Sequence, residues 1–255
     1  MEEAPEGMNE RAEFLQRIRT SLGRSEPVTA PAGDAPPARG PVDELAARVQ
    51  AAEGLASGDA DALMDALATS GEASGWVVKR VPSAEEAGQY VLEVARDLEA
   101  RSAVHSLHNV VQDALYGDLF SSTGIELVPV EVDRASEDAE SESRATLRAA
   151  MASADLGITG VDYAIAETGT CVIIPATGSS RLVSLLPPVH IALIERGQVL
   201  PTLDELFTLR RRDFVDGAVR SYMNLITGPS RTADIEYKLV TGVHGPGEVH
   251  MVLIG

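Results

Sequence analysis

Residues 156–175 read LGITGVDYAIAETGTCVIIP, two apolar runs held apart by a polar, turn-rich passage. Leu156–Gly160 and Thr170–Pro175 are strand-sized and are punctuated by glycine and aspartate, so both are expected to be strands. Upstream, helical and strand patterns alternate. Val42, Leu45, Ala46 and Val49 share one helical face, and Ala62, Leu63, Ala66 and Leu67 share another. Trp76–Val81 reads as a strand. Ser83 and Glu86 form a capping box that opens a helix with Ala87, Tyr90, Val91, Val94 and Leu98 on one side. Ser102–Ser106 is a short strand, and Ile125–Val132 is another whose Pro129 marks an edge or a bulge. Arg134–Arg144 is a charge-rich loop leading into a helix with Leu147, Ala150 and Met151.

Downstream, strands are expected at Leu182–Leu186, His190–Glu195, Met223–Thr227, Tyr237–Thr241 and Val249–Ile254. Thr202 and Glu205 form a second capping box. Strands separated by helices imply parallel pairing through right-handed crossovers. Those between Thr170 and Glu195 leave no room for helices and read as hairpins. The expected fold is α/β: a mainly parallel sheet flanked by helices, with an antiparallel portion. No GxGxxG or GxxxxGK[ST] follows a strand, which disfavours a dinucleotide site and a P-loop.

The N-terminal 41 residues differ from the rest. Asn9–Leu22 is a short amphipathic pattern with Phe14, Leu15, Ile18 and Leu22 on one face. Arg24–Pro41 holds five prolines and no apolar period, the composition of an extended linker. Residues 42–255 are expected to form one domain.

Composition excludes several classes. The 255 residues carry 21 basic and 39 acidic side chains, a net charge of −18 that repels nucleic acid and anionic membranes. Only Lys79 and Lys238 are lysines; acidity with few lysines also fits a high-salt host. The opening residues lack the apolar core of a signal peptide, and no apolar run reaches membrane-spanning length. One cysteine, Cys171, supports no disulfide framework, cysteine zinc site or iron–sulfur cluster, and fits a reducing cytoplasm. His190, His244 and His250, with Glu248 nearby, lack the spacing that brings two ligands to one face, so no metal is expected.

Three passages carry candidate chemistry. In the first, Gly160 ends a strand, Asp162 follows, and Glu167-Thr168-Gly169-Thr170 turns into the next strand. A carboxylate at Glu167 suits a base or a nucleophile, and equally a turn cap. In the second, Arg181 and His190 bracket RLVSLLPPVH and could face a cleft; His190 could equally be a core histidine. In the third, Gly228, Ser230, Arg231, Thr232 and Asp234, with His244 in a later turn, make an oxyanion cradle or a rigid loop with an Arg231–Asp234 pair.

GITGVDYAIAETGT, RLVSLLPPVHIALI, ITGPSRTADIE and GVHGPGEVHMVLI together resemble the LUD-domain family, at its short, cluster-free branch. The similarity covers roughly 42–255 and the FLQRIRTSLGR helix. It implies a fold like that of the CoA-transferase, ribose-phosphate isomerase and glucosamine-phosphate deaminase group. It also implies a place in a lactate-utilisation system that oxidises L-lactate to pyruvate, with no cofactor in this chain and iron–sulfur clusters in partner subunits. A small carboxylate or phosphate ligand is expected, and a homo-oligomer is compatible. Glu167-Thr168-Gly169 is similar to the Glu-x-Gly turn of CoA transferases, where the glutamate attacks a thioester. An autonomous transferase or isomerase using Glu167, or an organic-acid or sugar-phosphate binding module, is the alternative.

Overall fold

The computed structural model describes residues 14, 16–18, 20–21, 42–115, 119–121, 123–132, 136–174, 180–218, 222–235 and 238–255. The chain divides into two units, Met1–Glu44 and Leu45–Gly255. In the first, Phe14, Gln16–Ile18, Thr20 and Ser21 are helical, with Phe14 and Ile18 exposed. The rest of the expected first helix, and the proline-rich linker, lie outside the described residues.

Helix α1 (Val42–Gly58) runs across the boundary into the second unit, and α2 (Ala60–Ser74) follows. There follow β1 (Val77–Val81), α3 (Ala84–Asp97), β2 (Ser102–His105), α4 (Asn109–Ala114), β3 (Glu126–Pro129), α5 (Glu137–Ser153) and β4 (Leu156–Gly160). A hairpin, β5 (Tyr163–Ile165) and β6 (Thr170–Ile173), precedes β7 (Val189–Glu195) and β8 (Val199–Leu200). The chain closes with α6 (Leu203–Val215), β9 (Asn224–Ile226), β10 (Arg231–Ile235), β11 (Lys238–Thr241) and β12 (Glu248–Ile254).

Six strands form the main sheet in the order β1-β12-β7-β4-β2-β3, and every pairing in it is parallel. The central strands are apolar almost throughout because both faces are covered. On one face Leu156, Ile158, Ile191, Leu193 and Val252 pack with Ala87, Val91, Val110 and Val111 of α3 and α4. On the other, Ala192, Ile194, Met251 and Leu253 pack with Met64 and Leu67 of α2, Trp76, and Ala164 and Cys171 of the hairpin. β3 is an edge strand and ends at Pro129, where a missing N–H is tolerated. Thr202 and Glu205 make the expected capping box, and Ser83 Oγ accepts the Glu86 N–H.

Four expectations need correction. Arg134–Arg144 is not a loop throughout: α5 already begins at Glu137, where Ser136 Oγ caps it by accepting the Ala139 N–H. Leu182–Leu186 is not a strand: Arg181–Ser184 is a 3-10 turn. Ser180 Oγ accepts the Leu182 N–H at its start, and Pro187 and Pro188 offer no ladder donor beyond it. The strands between Thr170 and Glu195 are not one set of hairpins. β6 belongs to a separate four-stranded sheet, β8-β5-β6-β9, whereas β7 enters the parallel sheet. In α2 the buried face is Met64, Leu67 and Gly71, with Ala62 and Ala66 exposed. Gly71 lets Met251 approach to 3.1 Å of where a Cβ would stand.

Candidate functional site

The sequence-derived candidates divide between two ends of the parallel sheet. One group gathers at its N-terminal edge, around the last turn of α2. The Glu167–Thr170 turn is riveted there: Ser70 Oγ donates to Ala166 O (2.6 Å), Ser74 Oγ to Thr168 O (3.1 Å) and Trp76 Nε1 to Gly169 O (2.9 Å). Gly169 has φ +64°, and a Cβ on it would lie 2.6 Å from Gly71 N and Ser70 O. Thr168, Thr170 and Thr227 form a chain of hydroxyls, each step 2.7 Å. Glu167 is exposed; its N–H donates to Pro201 O (3.0 Å), and its carboxylate has no partner among the described residues.

The Gly228–Thr232 loop meets the same helix end. A Cβ on Gly228 would stand 2.1 Å from Ser74 O. Arg231 Nη2 donates to that carbonyl at 3.1 Å, placing a cation at a helix C-terminus, where the dipole favours it. Ser230 donates its N–H to Pro246 O (2.8 Å) and accepts the His244 N–H on Oγ (3.2 Å). Arg231 opens the β10–β11 ladder opposite Thr241 and Thr232 follows opposite Val240; Asp234 lies in β10, and its side chain is outside the described set.

Arg181 and His190 join neither group. The Arg181 guanidinium lies 4.9 Å from the Tyr222 ring centroid. His190 is sealed in β7, with Nε2 2.8 Å from Thr159 Oγ1 and its ring 6.2 Å from Trp76. Burial, with a contribution from His250, pushes its pKa down to about 3, so the ring is neutral. Its Nδ1 is buried without a partner among the described residues. His250 faces the opposite side of the sheet, bonded to Tyr90 Oη and Glu248 Oε1, both at 2.8 Å.

The remaining two candidates, Gly160 and Asp162, stand at the opposite, C-terminal edge, beside residues that the sequence reading passed over. β2 and β4 are neighbours whose onward connections diverge. From β2 the chain crosses through α4, on one face, to β3; from β4 it crosses through the β5–β6 hairpin, on the other, to β7. Such a switch point opens a crevice beyond the carboxyl ends of the strands. His105 and Gly160 end these two strands, Ser106 and His108 follow β2, and Asp162 follows β4 by two residues.

The polar atoms there are held in defined states. His105 Nδ1 lies 3.0 Å from Ser106 O, which only accepts, so the proton is on Nδ1 and Nε2 keeps its lone pair. Burial lowers the His105 pKa against a smaller opposing effect of that bond. Ser106 Oγ accepts the Gly160 N–H at 3.3 Å. The His108 ring lies against Gly160, where a Cβ would come within 2.4 Å of it, and its Nδ1 is buried without a partner among the described residues. Asp162 Oδ2 accepts the Ile174 N–H at 2.6 Å. Five residues separate Asp162 from Glu167, about 16 Å along a strand, so the two ends are distinct places. The available signal was HSLH directly after the Ser102–His105 strand, polar where a parallel strand ends.

The family model for the LUD domain matches residues 64–254. The chain belongs to the LUD domain family. That span takes in all six strands of the parallel sheet and both edges just described. Over 94 residues the chain is 44% identical to lactate utilization protein C of Halalkalibacterium halodurans, covering 36% of this chain and 41% of the relative. Another 102-residue alignment is 39% identical to lactate utilization protein C of Bacillus subtilis, covering 40% and 42%. The alignments thus span about two-fifths of these curated relatives. A DUF162 family protein from Deinococcus radiodurans shares the fold, with a TM-score of 0.50 at 18% identity over 77% of this chain and 98% of that one.

Proposed function

We propose that this LUD-domain protein serves lactate utilisation as a subunit without an iron–sulfur cluster of its own. Its partners carry the clusters through which L-lactate is oxidised to pyruvate. The observation that carries this reading is the 44% identity over 94 residues to a lactate utilization protein C. Cys171 is consistent with it. The single thiol is fully buried in β6, and burial raises its pKa well above the ordinary thiol range, so it offers no thiolate to a cluster. A lone unpaired thiol also suits the reducing cytoplasm.

The bound small molecule is a small carboxylate or phosphate, as the family resemblance implies; at the N-terminal edge of the sheet Arg231 and Ser230 already hold partners within the protein. Deleting residues 42–255 from the native host tests the functional reading. Growth on L-lactate as sole carbon source is expected to stop, growth on pyruvate to continue, and the full chain to restore the first. Unimpaired growth on L-lactate would contradict it.

A further inference from the structure

We infer that the cavity between α3 and β1 binds a small zwitterion, a molecule that carries an ammonium and a carboxylate on one short skeleton. No covalent step is involved. The cavity has a volume of about 420 Å³, within the usual range for small-molecule sites. Lys79 and Val81 of β1 line it together with Glu86, Tyr90, Glu93, Arg96 and Asp97 of α3, and every one of these residues is described. The α3 residues recur at helical spacing, so they share one face of that helix. The tyrosine wall is held from two sides. His250, buried in β12, bridges Glu248 and Tyr90: Nε2 lies 2.8 Å from Glu248 Oε1, and Nδ1 lies 2.8 Å from Tyr90 Oη. A carboxylate only accepts, so in the neutral ring Nε2 donates to Glu248 and Nδ1 accepts the Tyr90 hydroxyl proton. Lys79 Nζ lies over the same tyrosine, 5.4 Å from the ring centroid. A buried histidine of the neighbouring strand and a cavity-lining cation thus fix one wall of the cavity.

The charges around the cavity choose the ligand. Lys79 and Arg96 are cations, and Glu86, Glu93 and Asp97 are carboxylates. None of the five forms an ion pair among the described residues, whereas Arg80 on the same strand pairs with Asp65. Charges of both signs are thus left uncompensated around one space. A simple anion that enters it meets the carboxylates, and a simple cation meets Lys79 and Arg96. A zwitterion satisfies both, with its carboxylate toward the two cations and its ammonium toward the acidic side chains. Val81 and the Tyr90 ring offer apolar contact to a short hydrocarbon chain. This site is separate from the small-anion ligand of the functional reading, and nothing in it rests on that reading.

The test is calorimetric titration of the full chain with L-norleucine, hexanoate and pentylamine. Hexanoate is L-norleucine without its ammonium, and pentylamine is L-norleucine without its carboxylate, so the hydrocarbon chain is kept while one charge is removed. On the wild type, L-norleucine is expected to bind roughly tenfold or more tightly than either, the worth of one charge-assisted hydrogen bond. This comparison needs no substitution, so it stands even where a variant fails to fold. Two double variants assign the margin to the two halves of the site. Lys79→Gln with Arg96→Gln should weaken L-norleucine roughly tenfold and leave pentylamine no weaker. Glu93→Gln with Asp97→Asn should weaken L-norleucine by a similar factor and leave hexanoate no weaker. Hexanoate or pentylamine binding as tightly as L-norleucine, L-norleucine affinity unchanged in both folded variants, or no binding of any probe would overturn the proposal.

Discussion

Replacing Gly169 by alanine probes the junction between the hairpin and α2. Gly169 sits at φ +64°, a conformation that costs an L-residue about 1–2 kcal/mol. The added methyl would also stand 2.6 Å from Gly71 N and Ser70 O, both backbone atoms of α2. Neither can swing aside as a side-chain tip would. Relief requires the turn to lift from the helix, straining the Ser70–Ala166, Ser74–Thr168 and Trp76–Gly169 hydrogen bonds. Overpacking of this kind costs about 1–3 kcal/mol. The two together predict a loss of about 2–5 kcal/mol, or about 4–20 °C in Tm for a unit of this size. Trp76 is the only tryptophan in the chain and its indole N–H ends on Gly169 O, so the protein carries its own reporter. Gly169→Ala should lower the calorimetric Tm and shift tryptophan emission to the red in the folded baseline. A Tm within 2 °C of the wild type with unchanged emission would refute the close packing of turn and helix.

Two further substitutions follow from the same geometry. His190 is neutral when folded, with its pKa held at about 3, whereas the unfolded chain takes up this proton near 6.5. The unfolded state binds more protons between those values, so stability falls as pH drops through that window, by about 1.4 kcal/mol per pH unit at full slope. His190→Gln should therefore narrow the gap between stabilities at pH 7 and pH 5 by about 2 kcal/mol in urea titrations; an unchanged gap would refute a sealed neutral ring. Arg231→Ala should cost about 1 kcal/mol, the worth of a cation at a helix C-terminus, and leave phosphate affinity unaltered. A tenfold fall in phosphate affinity in the folded variant would instead make the Gly228–Thr232 loop an anion cradle.

What the sequence disclosed and what it withheld follow the range of the interactions. Alternating patterns identified the parallel α/β core, and Pro129 marked β3 as an edge, because periodicity and a missing N–H are local properties. The Glu167–Thr170 turn was legible for the same reason. The grouping of strands into two sheets was not: β6 and β7 follow one another in sequence but serve different partners. The LVSLL run lacked a period long enough to separate a strand from a 3-10 turn. His190 was left open between a cleft and the core because nothing local says that β7 is covered on both faces; the structure places it in the core. The same limit hid His105, Ser106 and His108. A strand end becomes a ligand-sized crevice only where neighbouring connections diverge, and strand order is set by contacts between distant segments. Gly169 meets Ser70 and Gly71, and Gly228 and Arg231 meet Ser74, for a reason equally invisible locally, since α2 lies about a hundred residues or more earlier in the chain.

Reconstituted L-lactate oxidation tests the central claim most directly. Tagged full-length chain is purified from its native host with whatever co-purifies, and L-lactate-dependent reduction of an artificial electron acceptor is measured before and after the chain is selectively depleted. The account predicts co-purification with iron–sulfur proteins, loss of activity on depletion, and recovery when the pure, cluster-free chain is added back. L-Lactate oxidation by the depleted partners at the undiminished rate, or a chain that purifies alone, would contradict it.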